Sequence, residues 1–183
     1  MRGLKSDEID ISNFTIASSI CSEFISSTYK DLTCANTRLI FAIGLELVKP
    51  ATANNVDVVI IDTPPKIESD ARPAIEASDL VLIPMTQSHV DFWATEAIIN
   101  IAKKAKKKIM IQINRANQRS KLIIKTNDYI KSLNVPSVNT IIGNRQIYAS
   151  SMGEGKTAIE KQRKGSAVDE IKKLSEQILS ELN

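Results

Sequence analysis

The feature that most constrains the fold of this chain is an apolar run that ends in an aspartate and two prolines. It spans residues 56–65, and Asp62 directly follows four β-branched residues. A run of this kind predicts a parallel strand that is covered on both faces. Ligands of parallel sheets bind beyond the carboxyl ends of the strands. The sequence therefore predicts that Asp62 faces a ligand.

A second apolar strand, residues 80–85, follows about one helix length later. The two strands and the segment between them predict a βαβ unit. Nucleotide hydrolases hold magnesium, usually through a water, with an aspartate that follows four hydrophobic residues, the Walker B element. An aspartate at this position also commonly caps the next helix or turn. On these residues alone, both interpretations of Asp62 stay open.

Hydrophobic periodicity predicts the remaining elements. Residues 91–107 predict an amphipathic helix, residues 108–114 a strand, residues 120–133 a helix and residues 138–142 a short final strand. The last helix carries a core stripe at spacings of three and four residues. The two helical faces consist of Phe92, Ala94, Ala97, Ile98, Ile101 and Ala105, and of Ala167, Ile171, Leu174, Ile178 and Leu182.

The N-terminal third gives weaker signals. Residues 12–29 predict a helix weakened by serines, residues 39–43 a further strand, and residues 46–55 a short helix broken near Pro50. The resulting fold class is α/β, with a three-layer, mostly parallel sheet and helices on both faces.

The order of several short segments resembles the ParA/MinD family of partition ATPases. The resemblance covers residues 56–182, and the segments together are far more specific than each one alone. They are Ile60–Pro65, Ala77–Met85, Ile111–Arg115, Ile142–Arg145, Gly155–Thr157 and the helix from Ala167. The resemblance implies a P-loop NTPase-like fold.

The resemblance also implies a cofactor and a site. It assigns to Asp62 a catalytic role and the binding of Mg²⁺ through a water, and it assigns to Asn114 a hydrogen bond to the adenine base of ATP. Arg115 and Pro84 are the further cofactor-binding candidates. An Asn at this point also suits a strand-ending turn.

The phosphate loop of that family has no counterpart in residues 1–55. Such a loop needs a glycine-rich turn followed by Gly-Lys-Thr at a helix N-terminus. Residues 1–55 contain only Gly3 and Gly44, and neither precedes a lysine. We therefore expect an N-terminally incomplete fold, with an atypical segment at residues 1–55 and a ParA-like domain at residues 56–183. Truncation, decay and fusion all remain open as explanations.

A second glycine-rich segment, residues 151–157, ends in Gly155-Lys156-Thr157. Ser150 stands where the general motif needs its first glycine, and residues 147–149 are too short for a buried strand. We predict that this segment does not bind phosphate.

Composition excludes several classes of protein. The chain has 183 residues, 43% of them hydrophobic, which suffices for a sizeable core. No stretch approaches the roughly 20 apolar residues of a membrane helix, and the start lacks the apolar core of a signal peptide. Cys21 and Cys34 lack ligand-spaced neighbours and predict reduced, buried thiols. We expect a cytoplasmic protein.

Basic residues cluster in two places despite a net charge of only +3. Five lysines within residues 103–108 complement the C-terminal dipole of a predicted helix, which we favour over a DNA contact there. The second cluster lies before the last helix, where the resemblance implies nonspecific binding to DNA phosphates. It consists of Arg145, Lys156, Lys161, Arg163 and Lys164.

Two functions are consistent with these features. The first is a ParA-like partition protein for plasmid or chromosomal DNA, without ATP hydrolysis of its own. The resemblance implies that its partners are nonspecific DNA, a ParB-like centromere-binding protein and a second copy of the chain, and that it is nucleoid-associated. The polar face of the last helix mixes acids and lysines, so we expect no membrane anchor there. The second function is a noncatalytic DNA- or protein-binding remnant of such an ATPase.

Overall fold

A parallel sheet forms the centre of the computed structural model, which describes residues 14–17, 39–43, 58–62 and 71–182. Its strands are β1 (Phe14–Ala17), β2 (Leu39–Ile43), β3 (Val58–Asp62), β4 (Leu80–Met85) and β5 (Lys108–Ile113). They lie in the order β2-β3-β1-β4-β5. β1 is central, because Ile16 pairs with Ile61 on one side and with Val81 on the other. The strands predicted at residues 39–43, 80–85 and 108–114 are confirmed, and so is the described part, residues 58–62, of the strand that ends at Asp62.

Helices follow the strands as a parallel sheet requires. The described helices are α1 (Ala71–Ala77), α2 (His89–Lys104), α3 (Leu122–Ser132), α4 (Gln146–Met152), α5 (Ala158–Lys161) and α6 (Ser166–Leu182). Ser88 caps the N-terminus of α2, and its side chain accepts a hydrogen bond from the Val90 amide. Lys103 and Lys104 in its last turn complement the helix dipole.

Two hydrophobic cores lie on opposite faces of the sheet. Along β4, Val81, Ile83 and Met85 pack on one face with α1, α2 and α3. Leu80 and Leu82 pack on the other face with α4, α5 and α6. The core stripe of α6 is buried as predicted, except that Leu182 is half-buried. The predicted three-layer α/β architecture is confirmed.

The segment after α3 extends the sheet beyond β5. Ile111 bridges to Ser137 and Ala116 bridges to Gly143, both in parallel orientation. The Val138 amide donates to the Ile111 carbonyl at 2.8 Å. The prediction of a strand at residues 138–142 is wrong: the two bridges lie just outside this range, and within it only the Val138 and Ile142 amides donate to β5 carbonyls, too few to form a strand.

Two predictions about helices are wrong in part. Residues 14–17 of the predicted helix 12–29 form β1, because a β-branched segment between two buried strands gains more from the ladder than from helix formation. In α2, Ala94 and Ala97 are exposed, and Thr95, Ile99 and Ala102 are buried instead. The other residues of helix 12–29, the helix predicted at residues 46–55 and both cysteines lie outside the described residues.

None of the described helices is long and apolar enough to cross a bilayer.

Candidate functional site

The carboxyl edge of the sheet, where the parallel strands end, contains the two main predicted site residues. Asp62 is the last residue of β3, where its backbone pairs with Ile43 of β2. Asn114 directly follows β5. β1 and β4 lie between β3 and β5, so three strand spacings separate the two positions, about 14 Å. The fold thus brings Asp62 and Asn114 to the same edge.

Asn114 is held tightly in this position. Its amide donates to the Met85 carbonyl at 2.8 Å, and its Oδ1 accepts from the Arg115 amide at 2.9 Å. The side chain is buried, and Arg115 is exposed with φ of 50°, in the left-handed region. Because Oδ1 is already engaged, Nδ2 is the free end of the amide: it donates to no other residue that the structure describes. The side chain therefore offers a hydrogen-bond donor.

The loop after β4 joins the Asn114 loop through Gln87, which sequence reasoning missed. Gln87 Oε1 accepts from the Asn117 amide at 2.9 Å. Its buried Nε2 has no hydrogen-bond partner among the described residues. Pro84, a predicted cofactor residue, is half-buried within β4 opposite Gln112. The sequence signal for Gln87 was a polar side chain just after a strand end.

Arg145, a predicted DNA contact, forms an ion pair with Glu170. Its Nη2 lies 2.5 Å from Glu170 Oε1, and its Nε lies 3.0 Å from Oε2. Glu170 is 8% exposed and also accepts from the Gly143 amide at 3.2 Å and from the Tyr148 hydroxyl at 2.9 Å. The guanidinium is thus engaged inside the molecule.

The pKa values of this pair reflect mutual stabilisation of the charges. Burial alone would raise the pKa of Glu170, but hydrogen bonds from Arg145, the Gly143 amide and Tyr148 hold it below its ordinary value of 4.5. The hydrogen bond to Glu170 likewise raises the pKa of Arg145. Both groups stay charged across the physiological pH range.

A pocket of about 740 Å³ lies beside this ion pair, between the start of α3, residues 139–141 and α6. It carries groups of both charges and of neutral polarity, and none of Asp62, Asn114 and Arg115 is part of its wall. Its polar lining includes Gln118, Asn139, Thr140, Arg145, Asp169 and Lys173.

The segment that spells Gly155-Lys156-Thr157 joins two short helices. α4 precedes it, and Thr157 caps α5 by accepting a hydrogen bond from the Glu160 amide and donating its own amide to Glu160 Oε2. A phosphate loop would instead follow a buried strand. The geometry is consistent with the prediction that this segment does not bind phosphate.

The other predicted DNA contacts lie around the same segment. Glu154 pairs with Lys156 at 3.7 Å and also with Lys161. Arg163 and Lys164 are exposed in the loop before α6. Lys156 thus precedes α5, Lys161 ends it, and Arg163 and Lys164 follow it, while Arg145 is paired with Glu170.

Metal clusters are absent from the described part of the chain. No group of three or more His, Cys, Asp and Glu side chains converges there. A Mg²⁺ ion held by one carboxylate through water and by substrate phosphates does not need such a cluster.

Comparison with known proteins assigns the fold to a family. A family model described as an AAA domain, of the ParA/MinD type, matches residues 5–150. The chain belongs to this family. The match begins upstream of the motifs that carry the resemblance.

Individual ParA/MinD relatives agree with this assignment. The chain is 29% identical over 144 residues to maintenance of carboxysome distribution protein A of Halothiobacillus neapolitanus, which covers 74% of the chain and 64% of that protein. MinD of Aquifex aeolicus has a TM-score of 0.71 at 12% identity over 92% of the chain and 97% of its own length. Mg-ADP-bound MinD of Pyrococcus horikoshii has a TM-score of 0.62 at 20% identity over 73% and 54%.

Proposed function

We propose that this chain is a ParA-like partition protein that binds an adenine nucleotide with Mg²⁺ at the carboxyl edge of its sheet and does not hydrolyse it alone. The main support is the position of Asp62 and Asn114 at one edge, about 14 Å apart. An extended nucleoside triphosphate bridges such a distance between its base and its metal-bound phosphates. The chain spans 64% of the length of the curated relative that it matches. The nucleotide, the metal and the partners named here are therefore proposals for this chain.

Each site residue has a role set by its chemistry. Asp62 would hold Mg²⁺ through a water, and the ion would neutralise phosphate charge. Asn114 Nδ2 would donate to a ring nitrogen of adenine, because its Oδ1 already accepts from the Arg115 amide. Arg115 and Pro84 would flank the base.

The proposed lack of ATP hydrolysis follows from the absence of a recognisable phosphate loop in this sequence. Phosphoryl transfer depends on positioning and on charge stabilisation by a lysine-bearing loop. Residues 1–55 contain no Gly-Lys pair, and Thr157 of the Gly155-Lys156-Thr157 segment caps α5. These observations also favour the second candidate, a noncatalytic DNA- or protein-binding module of the same fold.

DNA is the proposed partner of the basic residues around α5. The exposed residues Lys156, Lys161, Arg163 and Lys164, at the end of α5 and in the loops on either side of it, would contact phosphates nonspecifically. Under this proposal the chain acts in the cytoplasm on the nucleoid, as a homodimer with a ParB-like partner.

The deciding experiment is calorimetric titration of the purified chain with Mg-ATP. Micromolar binding, about −8 kcal/mol, that weakens in Asp62→Ala supports the proposal. Asp128→Ala, on the exposed surface of α3, is the matched control and should leave binding unchanged. A folded chain that binds no nucleotide would leave the noncatalytic module.

A further inference from the structure

The pocket beside the Arg145–Glu170 ion pair is a groove at the outer edge of the sheet. It lies between the start of α3, the edge segment of residues 139–141 and α6. Its volume of about 740 Å³ falls within the usual range of small-molecule sites, about 300–1,000 Å³. Asn114 and Arg115, at the proposed base end of the nucleotide site, do not line it. The pocket is therefore a second candidate site.

The edge segment departs from regular pairing with β5. The amides of Val138 and Ile142 donate to the carbonyls of Ile111 and Ile113, at 2.8 Å and 3.0 Å. The two donors are four residues apart, whereas their acceptors are two residues apart. Regular parallel strands advance equally on both sides of the ladder. Two extra residues of the edge segment therefore loop out of the ladder.

Side chains of α6 occupy the backbone amides on either side of this loop but not those within it. Gln177 Oε1 accepts from the Asn139 amide at 2.9 Å, and Glu170 Oε2 accepts from the Gly143 amide at 3.2 Å. The amides of residues 140–141, which are half-buried, donate to no acceptor that the structure describes. Backbone amides in such a position require a partner from water or from a ligand.

Lys173 lies on α6 between the two side chains that accept from the edge. It comes three residues after Glu170 and four before Gln177, so all three share one face of the helix. Its neighbours supply acceptor oxygens, whereas an ammonium group offers only donors. Lys173 lines the pocket, and its side chain has no partner among the described residues. The middle of the groove therefore offers free donors, which suit a carboxylate.

An unpaired carboxylate lies about one helical turn from these donors. Asp169 also lines the pocket, four residues before Lys173, and its side chain has no partner in the part of the chain that the structure describes. Arg145 and Glu170 neutralise each other. The lining therefore has one uncompensated charge of each sign, about 6 Å apart along the helix axis. A ligand that carries both charges matches this lining, whereas a simple anion is repelled by Asp169.

We propose that this pocket binds a small zwitterion of the α-amino acid type. The carboxylate of the ligand would accept from the Ile141 amide and from Lys173, and its ammonium group would donate to Asp169. Ile123 and Ile141, both half-buried in the wall, would contact an aliphatic side chain. This binding does not depend on the nucleotide.

Nuclear magnetic resonance of the isotope-labelled full chain tests the proposal. The probe is L-leucine, and the amide signals of Thr140 and Ile141 report its binding. Both signals should shift and saturate as leucine is added. Isocaproate lacks the ammonium group and isopentylamine lacks the carboxylate, so each should bind about tenfold more weakly or worse. Equal affinity for the three compounds, or no saturable shift of either amide, overturns the proposal.

Two substitutions test the two charges separately. Lys173→Gln supplies an acceptor where the proposed carboxylate needs a donor, and it should weaken leucine binding about tenfold or more. Asp169→Asn should weaken leucine binding but strengthen isocaproate binding, because it removes the carboxylate that repels this anion. Lys131→Gln, in the last turn of α3, is the matched control and should change neither. Equal weakening of both compounds by Asp169→Asn would exclude the ammonium contact.

Inorganic phosphate distinguishes a zwitterion site from a general anion site. Phosphate that shifts the amide signals of Thr140 and Ile141 with an affinity equal to that of leucine would overturn the proposal. Phosphate that binds at least about tenfold more weakly supports it. The dispersion of the amide signals verifies the folding of each variant, and the comparison of ligands on the parent chain does not depend on any substitution.

Discussion

Glu170 and Gln177 lie two turns apart on α6 and accept hydrogen bonds from two backbone amides of one edge segment. Glu170 Oε2 accepts from the Gly143 amide at 3.2 Å, and Gln177 Oε1 accepts from the Asn139 amide at 2.9 Å. The inner side of this segment pairs with β5. The two side chains thereby occupy donors that an added strand would use, which protects the sheet edge against pairing with other chains.

Replacement of Glu170 should reveal this contact in the acid range. Glu170→Gln should lower the free energy of unfolding by about 2 kcal/mol at neutral pH, because a hydrogen-bonded, largely buried ion pair loses its charge. The pKa of Glu170 is lower in the folded state, so its contribution is complete above the ordinary value of 4.5 and is lost as the pH falls below it. Urea unfolding between acid and neutral pH measures both effects. Glu176→Gln, exposed on the same helix, is the control, and a pH-independent difference would contradict the assignment.

The hydroxyl of Tyr129 should ionise at a higher pH than that of an ordinary tyrosine. Burial, a hydrogen bond to Glu96 and the charge of that carboxylate raise the pKa of Tyr129 to about 12 from 10.0. A raised folded-state pKa stabilises the fold below the unfolded value, and this contribution is lost as the pH rises from 10 to about 12. Glu96→Gln should lower the pKa of Tyr129 toward 10, as measured by tyrosinate absorbance. Tyr129→Phe identifies the transition, and an unchanged curve in Glu96→Gln would refute the coupling.

Thr157 should matter for stability and not for nucleotide binding. Thr157→Ala removes the capping box of α5 and should cost about 1 kcal/mol in denaturant unfolding. Mg-ATP affinity should remain that of the parent chain, and Lys156→Ala should alter neither quantity by much. Loss of nucleotide affinity in both variants, with the fold intact, would instead identify residues 151–157 as a phosphate loop.

Two substitutions of Asn114 distinguish the role of its Nδ2 donor from that of the hydrogen bond between its Oδ1 and the Arg115 amide. Asn114→Asp keeps an oxygen for the Arg115 amide but removes the Nδ2 donor, so the fold should persist while Mg-ATP affinity falls about tenfold. Asn114→Ala should lose both affinity and stability. Calorimetry and thermal unfolding measure the two effects, and full affinity in Asn114→Asp would exclude the proposed base contact.

The elements that were predicted correctly are those whose structure depends on residues close together in the sequence. β3 and β4 are apolar runs, β5 is apolar from Ile109 to Ile113 apart from Gln112, and α6 has a clear period, so each was predicted. β1 is four residues among serines, and its strand state depends on pairing with β3 and β4. Asp62 and Asn114 became candidate site residues because each is a polar residue at the end of a buried strand. Glu170 was missed because its burial depends on Arg145 and Tyr148, which lie more than twenty residues away.

β1 is the only described strand that is hydrogen-bonded to both halves of the sheet, one made of β2 and β3 and the other of β4 and β5. Asp62 belongs to the first half and Asn114 to the second. Four residues near the start of the chain therefore act as the spacer that determines how far apart the proposed metal and base ends lie. Any change that shifts the register of Phe14–Ala17 against either neighbour would slide one half of the site relative to the other, with no substitution in the site itself.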